Sequence, residues 1–271
     1  MTLSTVEWGG TGPVTLVLAH ATGFNKLVWR PVVAELRTQG FDGPIVAFDF
    51  RSHGHSPKLE DHSWTRFGDD VAEILSRVGG PVVGVGHSMG ATALLQSALV
   101  APERYLGQVL VEPIVFPPLT FDSLDHPLVI GASRRRREFE SVADALGNFA
   151  DKAVFSGWVD DALAAYVEGG LVPEADTWAL ACEPVHEAEV FSRSGSDGVH
   201  DRLEELAVPI WLVVGEDTDT YPPGYVELLR DRIADSRLAS IAGAGHFAPM
   251  EQPGTLASVI ITALDGFVRK L

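Results

Sequence analysis

The stretch that most constrains this chain is Pro81 to Ala101, PVVGVGHSMGATALLQSALVA, in which a β-branched apolar run meets Gly86-His87-Ser88-Met89-Gly90 and then a helix-favouring segment. Val82, Val83 and Val85 suit a buried strand, and Ala91 to Leu99 suits a helix. A serine placed where a strand turns straight into a helix must take a strained positive φ, and bulk two residues to either side would collide with the turn. Gly86 and Gly90 hold those two positions. Such a turn lifts the Ser88 hydroxyl clear of the sheet edge and aims the first unpaired helical amides at any oxygen bound there. That is half of an acyl-transfer site.

The flanking sequence supplies the sheet. Val14 to Ala19 and Pro44 to Phe50 are apolar runs bounded by turn residues and read as buried parallel strands. Leu27 to Leu36 between them, and Phe67, Val71, Ile74, Leu75 and Val78 after them, carry apolar residues at helical spacing. Tyr105 to Val111, Pro209 to Val214 and Arg237 to Ile241 read as further strands. The alternation predicts an α/β fold with a doubly wound, mostly parallel sheet, whose sites form at the carboxyl ends of strands. It stops between Glu112 and about Leu206, so residues 113–206 are expected to form a helical cap inserted into a core of 1–112 and 207–271. The cap leaves from the strand after the elbow strand and would cover Ser88. Its aromatic residues Phe139, Phe149, Phe155, Trp158 and Phe191 are the expected substrate contacts.

A serine nucleophile needs a base, and the base needs a carboxylate to fix its tautomer. Of nine histidines, His246 is favoured because it follows a Gly-rich loop after the last strand, Gly243-Ala244-Gly245-His246. His20, His53 and His87 sit beside strand ends, where structural roles are expected; His87, next to Ser88, is also a candidate substrate contact. The loop Gly215-Glu216-Asp217-Thr218-Asp219 offers the acid, with Asp219 ranked first for reach and Asp217 behind it. Glu112, at the end of the strand beside the elbow strand, is the other alternative. The oxyanion would be held by the Met89 amide and a second amide in the His20 to Gly23 loop, with Thr22 favoured.

Composition narrows the partners. The formal charge of −17 argues against nucleic acid and anionic membrane, and no apolar run is long enough to span a bilayer. The basic run Arg134 to Arg137 reads as a solvated helix face. Met1 to Pro13 lacks the pattern of a signal peptide and Cys182 is the only cysteine, which together point to the cytoplasm. A small-molecule substrate with no cofactor and no metal is expected, and the oligomeric state is open.

Four motifs now resemble those of the α/β-hydrolase superfamily over essentially the whole chain outside the cap. His20-Ala21-Thr22-Gly23-Phe24 resembles its oxyanion loop, and Asp49-Phe50-Arg51-Ser52-His53-Gly54-His55-Ser56 resembles its D-x-R-G-x-G-x-S segment. Gly86 to Gly90 and Gly245-His246-Phe247 match its nucleophile and histidine motifs. Ala21 and Ser52 stand where the superfamily has glycines, and Thr218 stands where its acid usually sits, three residues after the strand-end glycine; in some members the acid is one further on, at Asp219 here. With Ser and not Asp as nucleophile, the resemblance implies a hydrolase of a carboxylic ester, thioester or lactone of a small, largely apolar substrate, acting through an acyl-enzyme. Alternatives within it are a carbon–carbon bond hydrolase, a cofactor-free perhydrolase and a non-catalytic ligand-binding member.

Overall fold

The computed structural model describes residues 2–117, 125–194 and 198–269. In chain order its strands are β1 (Thr5–Trp8), β2 (Thr15–Ala19), β3 (Ile45–Phe48), β4 (Val82–His87), β5 (Tyr105–Val111), β6 (Glu138–Phe139), β7 (Leu171–Glu174), β8 (Thr177–Leu180), β9 (Ile210–Gly215) and β10 (Ser236–Ile241). The α-helices are α1 (Arg30–Thr38), α2 (Trp64–Arg77), α3 (Met89–Val100), α4 (Pro127–Ser133), α5 (Val142–Ala150), α6 (Asp160–Gly170), α7 (Pro184–Ser192), α8 (Tyr225–Arg232), α9 (Ala248–Glu251) and α10 (Pro253–Val268).

Seven strands form the main sheet in the order β1-β3-β2-β4-β5-β9-β10. All its pairings are parallel except that of the edge strand β1 with β3. Because side chains alternate across a strand, each strand feeds two cores. Leu16, Leu18, Val83, Val85, Val109 and Val111 face the layer of α1 and α10, while Val17, Ala19, Val82 and Leu110 face that of α2, α3 and α8. Each such buried Val or Leu side chain contributes roughly 1.5–3 kcal/mol. Burial on both faces explains why β2, β4 and β5 read as predominantly apolar runs.

The register of the central strands decides where the chemistry lies. His87 at the end of β4 pairs with Val111 at the end of β5, and Val111 with Val213 of β9. Ser88 N donates to Val111 O at 2.9 Å and Glu112 N to Val213 O at 2.8 Å. Residues 88 and 112 therefore leave the sheet side by side.

The segment between β5 and β9 holds α4 to α7, but it is not wholly helical as expected. A three-stranded antiparallel sheet of order β6-β8-β7 lies within it. β7 and β8 form a hairpin in which Glu174 pairs with Thr177, leaving a two-residue turn whose first residue, Ala175, takes φ 50°. Such turns usually announce themselves by Gly or Asn at the positive-φ position, and Ala175-Asp176 gives no such signal. Residues 118–124 and 195–197 of the expected cap lie outside the described residues.

Candidate active site

Ser88 sits at φ 54°, ψ −120°, between the end of β4 and the first residue of α3. The two flanking glycines are required by contact. A methyl group at Gly86 would come within 2.6 Å of the Ala91 backbone, and one at Gly90 within 2.4 Å of the Ala19 carbonyl oxygen. The second approach presses the start of α3, whose first amide is that of Met89, against the end of β2 and the His20 carbonyl, from which the chain runs on to Thr22. Among the described residues, no protein acceptor is paired with either amide. Phe24 N donates to Ala21 O at 3.2 Å, closing a turn around Thr22 and Gly23 in which Gly23 takes φ 76°.

That loop is fixed from below. His20 is fully buried; its Nε2 accepts from Phe50 N at 3.1 Å and its Nδ1 donates to Ala21 O at 2.7 Å. Burial lowers its pKa to about 3, so the ring is a neutral strut in one tautomer. Asp49, also fully buried, accepts from Lys26 N at 2.6 Å, Lys26 Nζ at 2.5 Å and His55 N at 2.8 Å, which offsets the cost of burying its charge. Ser52 does adopt the left-handed backbone that a glycine would favour, at φ 59°. Its hydroxyl is lodged between Leu59 N at 2.9 Å, Leu59 O at 3.1 Å and His62 Nε2 at 2.9 Å, contacts that glycine lacks.

His246 arrives on the loop after β10. Its carbonyl oxygen accepts from His87 Nε2 at 2.8 Å, and the two rings lie 5.1 Å apart, so the residue before Ser88 holds the backbone of the histidine. His87 is wholly buried, and burial holds its pKa well below the usual value. It is placed as a neutral anchor and not as a surface open to substrate.

The carboxylate that the fold brings beside His246 is that of Glu112, not that of Asp219 or Asp217. Asp219 and Asp217 are both exposed, and among the described residues neither carboxylate makes a hydrogen bond or ion pair. Glu112 Oε2 lies 3.3 Å from His246 Nδ1. A carboxylate only accepts, so Nδ1 carries the proton and Nε2 is left basic. Glu112 is fully buried at φ 50°, its Oε1 accepting from Gly215 N at 2.9 Å and its Oε2 from the Thr218 hydroxyl at 2.8 Å. The reason is local. Past Gly215 the amides of Glu216 and Asp217 donate to Ile241 O and Ala244 O, both at 2.9 Å, and Thr218 N to Gly215 O at 3.3 Å. The loop is thereby held so that Thr218 and Thr220 are half-buried, while Asp217 and Asp219 stay exposed.

The sequence reading missed these two threonines, and the signal was the departure at Thr218 itself. It also missed Tyr221 and Tyr225, whose hydroxyls donate to Pro113 O at 2.6 Å and Val115 O at 2.9 Å and tie the segment after Glu112 to the loop after β9.

The cap aromatics divide. Trp158 lies 5.4 Å from Phe24 and 5.6 Å from Phe247 between ring centroids, and Phe24 lies 6.0 Å from His87, so these three build an apolar wall beside the histidine loop. Phe155 packs behind Trp158 at 4.8 Å. Phe139 and Phe149 are almost fully buried against each other at 5.6 Å, and Phe191 packs in a separate cluster with Val129, Ala132 and Ala188. The latter three belong to packing within the segment between β5 and β9. The segment between β5 and β9 also contacts the loop after β2: Asn25 Nδ2 donates to Tyr166 O at 2.9 Å, and the Glu187 carboxylate lies against Gly23 while pairing with Arg135 at 2.5 Å. Arg135 is half-buried and Arg137 bonds Glu183, so the run Arg134 to Arg137 is not simply a solvated helix face.

Among the described residues, no group of three or more His, Cys, Asp or Glu side chains is placed to hold a metal ion, and no helix is long and apolar enough to cross a membrane.

The chain is 25% identical to esterase Rv0045c of Mycobacterium tuberculosis over 97% of its own length and 86% of that protein. It is 23% identical to 3-oxoadipate enol-lactonase 1 of Acinetobacter baylyi over 100% of its length and 94% of that protein. Among solved structures, E-2-(acetamidomethylene)succinate hydrolase superposes with a TM-score of 0.83 at 22% identity, covering 97% of this chain and 95% of that one. The profile of the alpha/beta hydrolase family matches residues 16–259, and the chain belongs to that family.

Proposed function

We propose that the protein is a serine hydrolase that cleaves the ester, thioester or lactone bond of a small, largely apolar substrate through an acyl-enzyme. The observation that carries this reading is the pairing of adjacent strand ends: Ser88 and Glu112 both leave the sheet in strained positive-φ backbone, and Glu112 Oε2 meets His246 Nδ1 at 3.3 Å. Strain of this kind costs about 1–3 kcal/mol per residue and persists where the surroundings enforce it, often at reacting groups. The relatives named as an esterase and an enol-lactonase support the bond class. The wall of Phe24, Trp158 and Phe247 supports an apolar substrate.

In this mechanism His246 Nε2 takes the Ser88 proton as Oγ attacks the carbonyl carbon. The Met89 and Thr22 amides receive the charge that develops on oxygen, and Glu112 stabilises the imidazolium. Collapse expels the alcohol or thiol, which takes its proton from His246. Water, deprotonated in turn by His246, then attacks the acyl-enzyme and returns Ser88 to its starting state.

Labelling with a fluorophosphonate tests the reading, since that probe forms a covalent adduct only with an activated serine. Labelling of the native protein, its loss in Ser88→Ala, and the matching loss of p-nitrophenyl ester turnover are expected. A folded native protein that neither labels nor turns over any ester would instead mark a ligand-binding member of the family.

A further inference from the structure

The partner nearest to His246 Nδ1 is not the carboxylate. Thr220 Oγ1 lies at 2.9 Å and Glu112 Oε2 at 3.3 Å. Thr218 Oγ1 lies 2.8 Å from Glu112 Oε2 and 3.1 Å from Thr220 Oγ1, and it also accepts from Thr220 N at 3.3 Å. The protons in this group can be assigned by counting. Glu112 only accepts, and it is the stronger acceptor for the single hydroxyl proton of Thr218. The proton in the threonine–threonine contact then comes from Thr220, which leaves a lone pair of Thr220 Oγ1 facing Nδ1–H. Every donor in the ring of four side chains has an acceptor.

We propose that Thr220 and Thr218 are positioning residues for the hydrolase reaction: Thr220 holds His246 in its Nδ1–H tautomer and sets the ring's angle, and Thr218 locks the Glu112 carboxylate beside it. This rests on the assignment of Glu112 as the acid. In the resting enzyme Nδ1–H leans on the nearer, neutral oxygen. When His246 accepts the serine proton, the imidazolium gains from the carboxylate 3.3 Å away with the ring already aligned. The backbone supports this division of labour, because the Thr220 N to Thr218 Oγ1 bond is a local turn that keeps both hydroxyls on the inner side while Asp219 between them stays exposed.

The test compares Thr220→Val, Thr220→Ser and Glu112→Gln on a short p-nitrophenyl ester. Removing a hydrogen bond to a group that becomes charged predicts that Thr220→Val lowers kcat about ten- to a hundredfold with KM almost unchanged. Thr220→Ser, which keeps the hydroxyl, should stay within about threefold of the native enzyme. The acid limb of the kcat/KM profile in Thr220→Val should move to lower pH, because the imidazolium loses an acceptor, whereas a merely structural residue would leave that limb in place. Native-like kcat and pH profile in Thr220→Val, with Glu112→Gln strongly impaired, would overturn the positioning role alone. Native-like activity in Glu112→Gln would overturn the acid assignment beneath it.

Discussion

Replacing Glu112 by glutamine keeps the shape of the side chain and removes its charge, and the surrounding donors dictate the outcome. Oε1 receives the Gly215 amide at 2.9 Å, and Oε2 receives the Thr218 hydroxyl at 2.8 Å with His246 Nδ1 at 3.3 Å. A glutamine has one carbonyl oxygen for these two sides. The Gly215 N–H is fixed in the backbone and cannot turn away, whereas the Thr218 hydroxyl can rotate, so the carbonyl oxygen takes the Gly215 side. The NH2 group then faces Thr218 and His246. Thr218 accommodates it by accepting, but His246 does so only by switching to the Nε2–H tautomer, which leaves Ser88 without a base. The equivalent tautomer error in a serine protease triad lowers kcat about 10,000-fold, or about 5.4 kcal/mol in the barrier. Asp219→Asn alters an exposed carboxylate that makes no bond and should leave kcat within about twofold. Steady-state kinetics on a p-nitrophenyl ester read the effect, with thermal unfolding confirming that both variants are folded. An Asp219→Asn variant as impaired as Glu112→Gln, or a folded Glu112→Gln variant within about tenfold of the native enzyme, would refute the reasoning.

Two further outcomes concern the scaffold. Ser52→Gly relieves the strain at φ 59° but strands His62 Nε2 and both polar groups of Leu59, so a net loss of about 1–2 kcal/mol is expected in urea unfolding; a more stable variant would show that the strain dominates. His20 and His53 both have pKa values lowered to about 3 by burial, so between about pH 6.5 and 3 unfolding takes up a proton at each. That stability is complete above the unfolded value and is lost as pH falls, at about 1.4 kcal/mol per pH unit per histidine. Unfolding free energies measured from pH 7 to 4 should show the slope, His53→Gln should reduce it by one proton, and an unchanged slope would mean that His53 is not buried neutral.

How much of this was legible in the sequence depends on how far apart the deciding residues lie. The parallel sheet could be read because burial on both faces leaves predominantly apolar runs such as Val14 to Ala19. The elbow could be read because glycines at 86 and 90 answer contacts made within a few residues and against one neighbouring strand. The β7–β8 hairpin could not, since its strands of four residues contain Pro173 and turn without a glycine. That Asp219 does not lie beside His246 has a subtler reason. Reach and chain order were sound arguments for Asp219, but they leave open the direction in which each residue of the loop after β9 points. That direction is set by the amides of Glu216 and Asp217 bonding to carbonyls at the end of β10 and just after it, about 25 residues away, which no local pattern encodes. Once the loop is held in that way, the two hydroxyl residues that flank Asp219 face His246 and the carboxylates face out. The carboxylate beside the half-buried His246 ring then comes from another strand. Glu112 is suited to that task because its side chain is one methylene longer than aspartate and the positive φ at its backbone turns it toward the loop, where Gly215 N and the Thr218 hydroxyl hold it. The threonine at the position usually occupied by the acid and the glutamate on the neighbouring strand are thus two halves of one arrangement, and each makes chemical sense only with the other present.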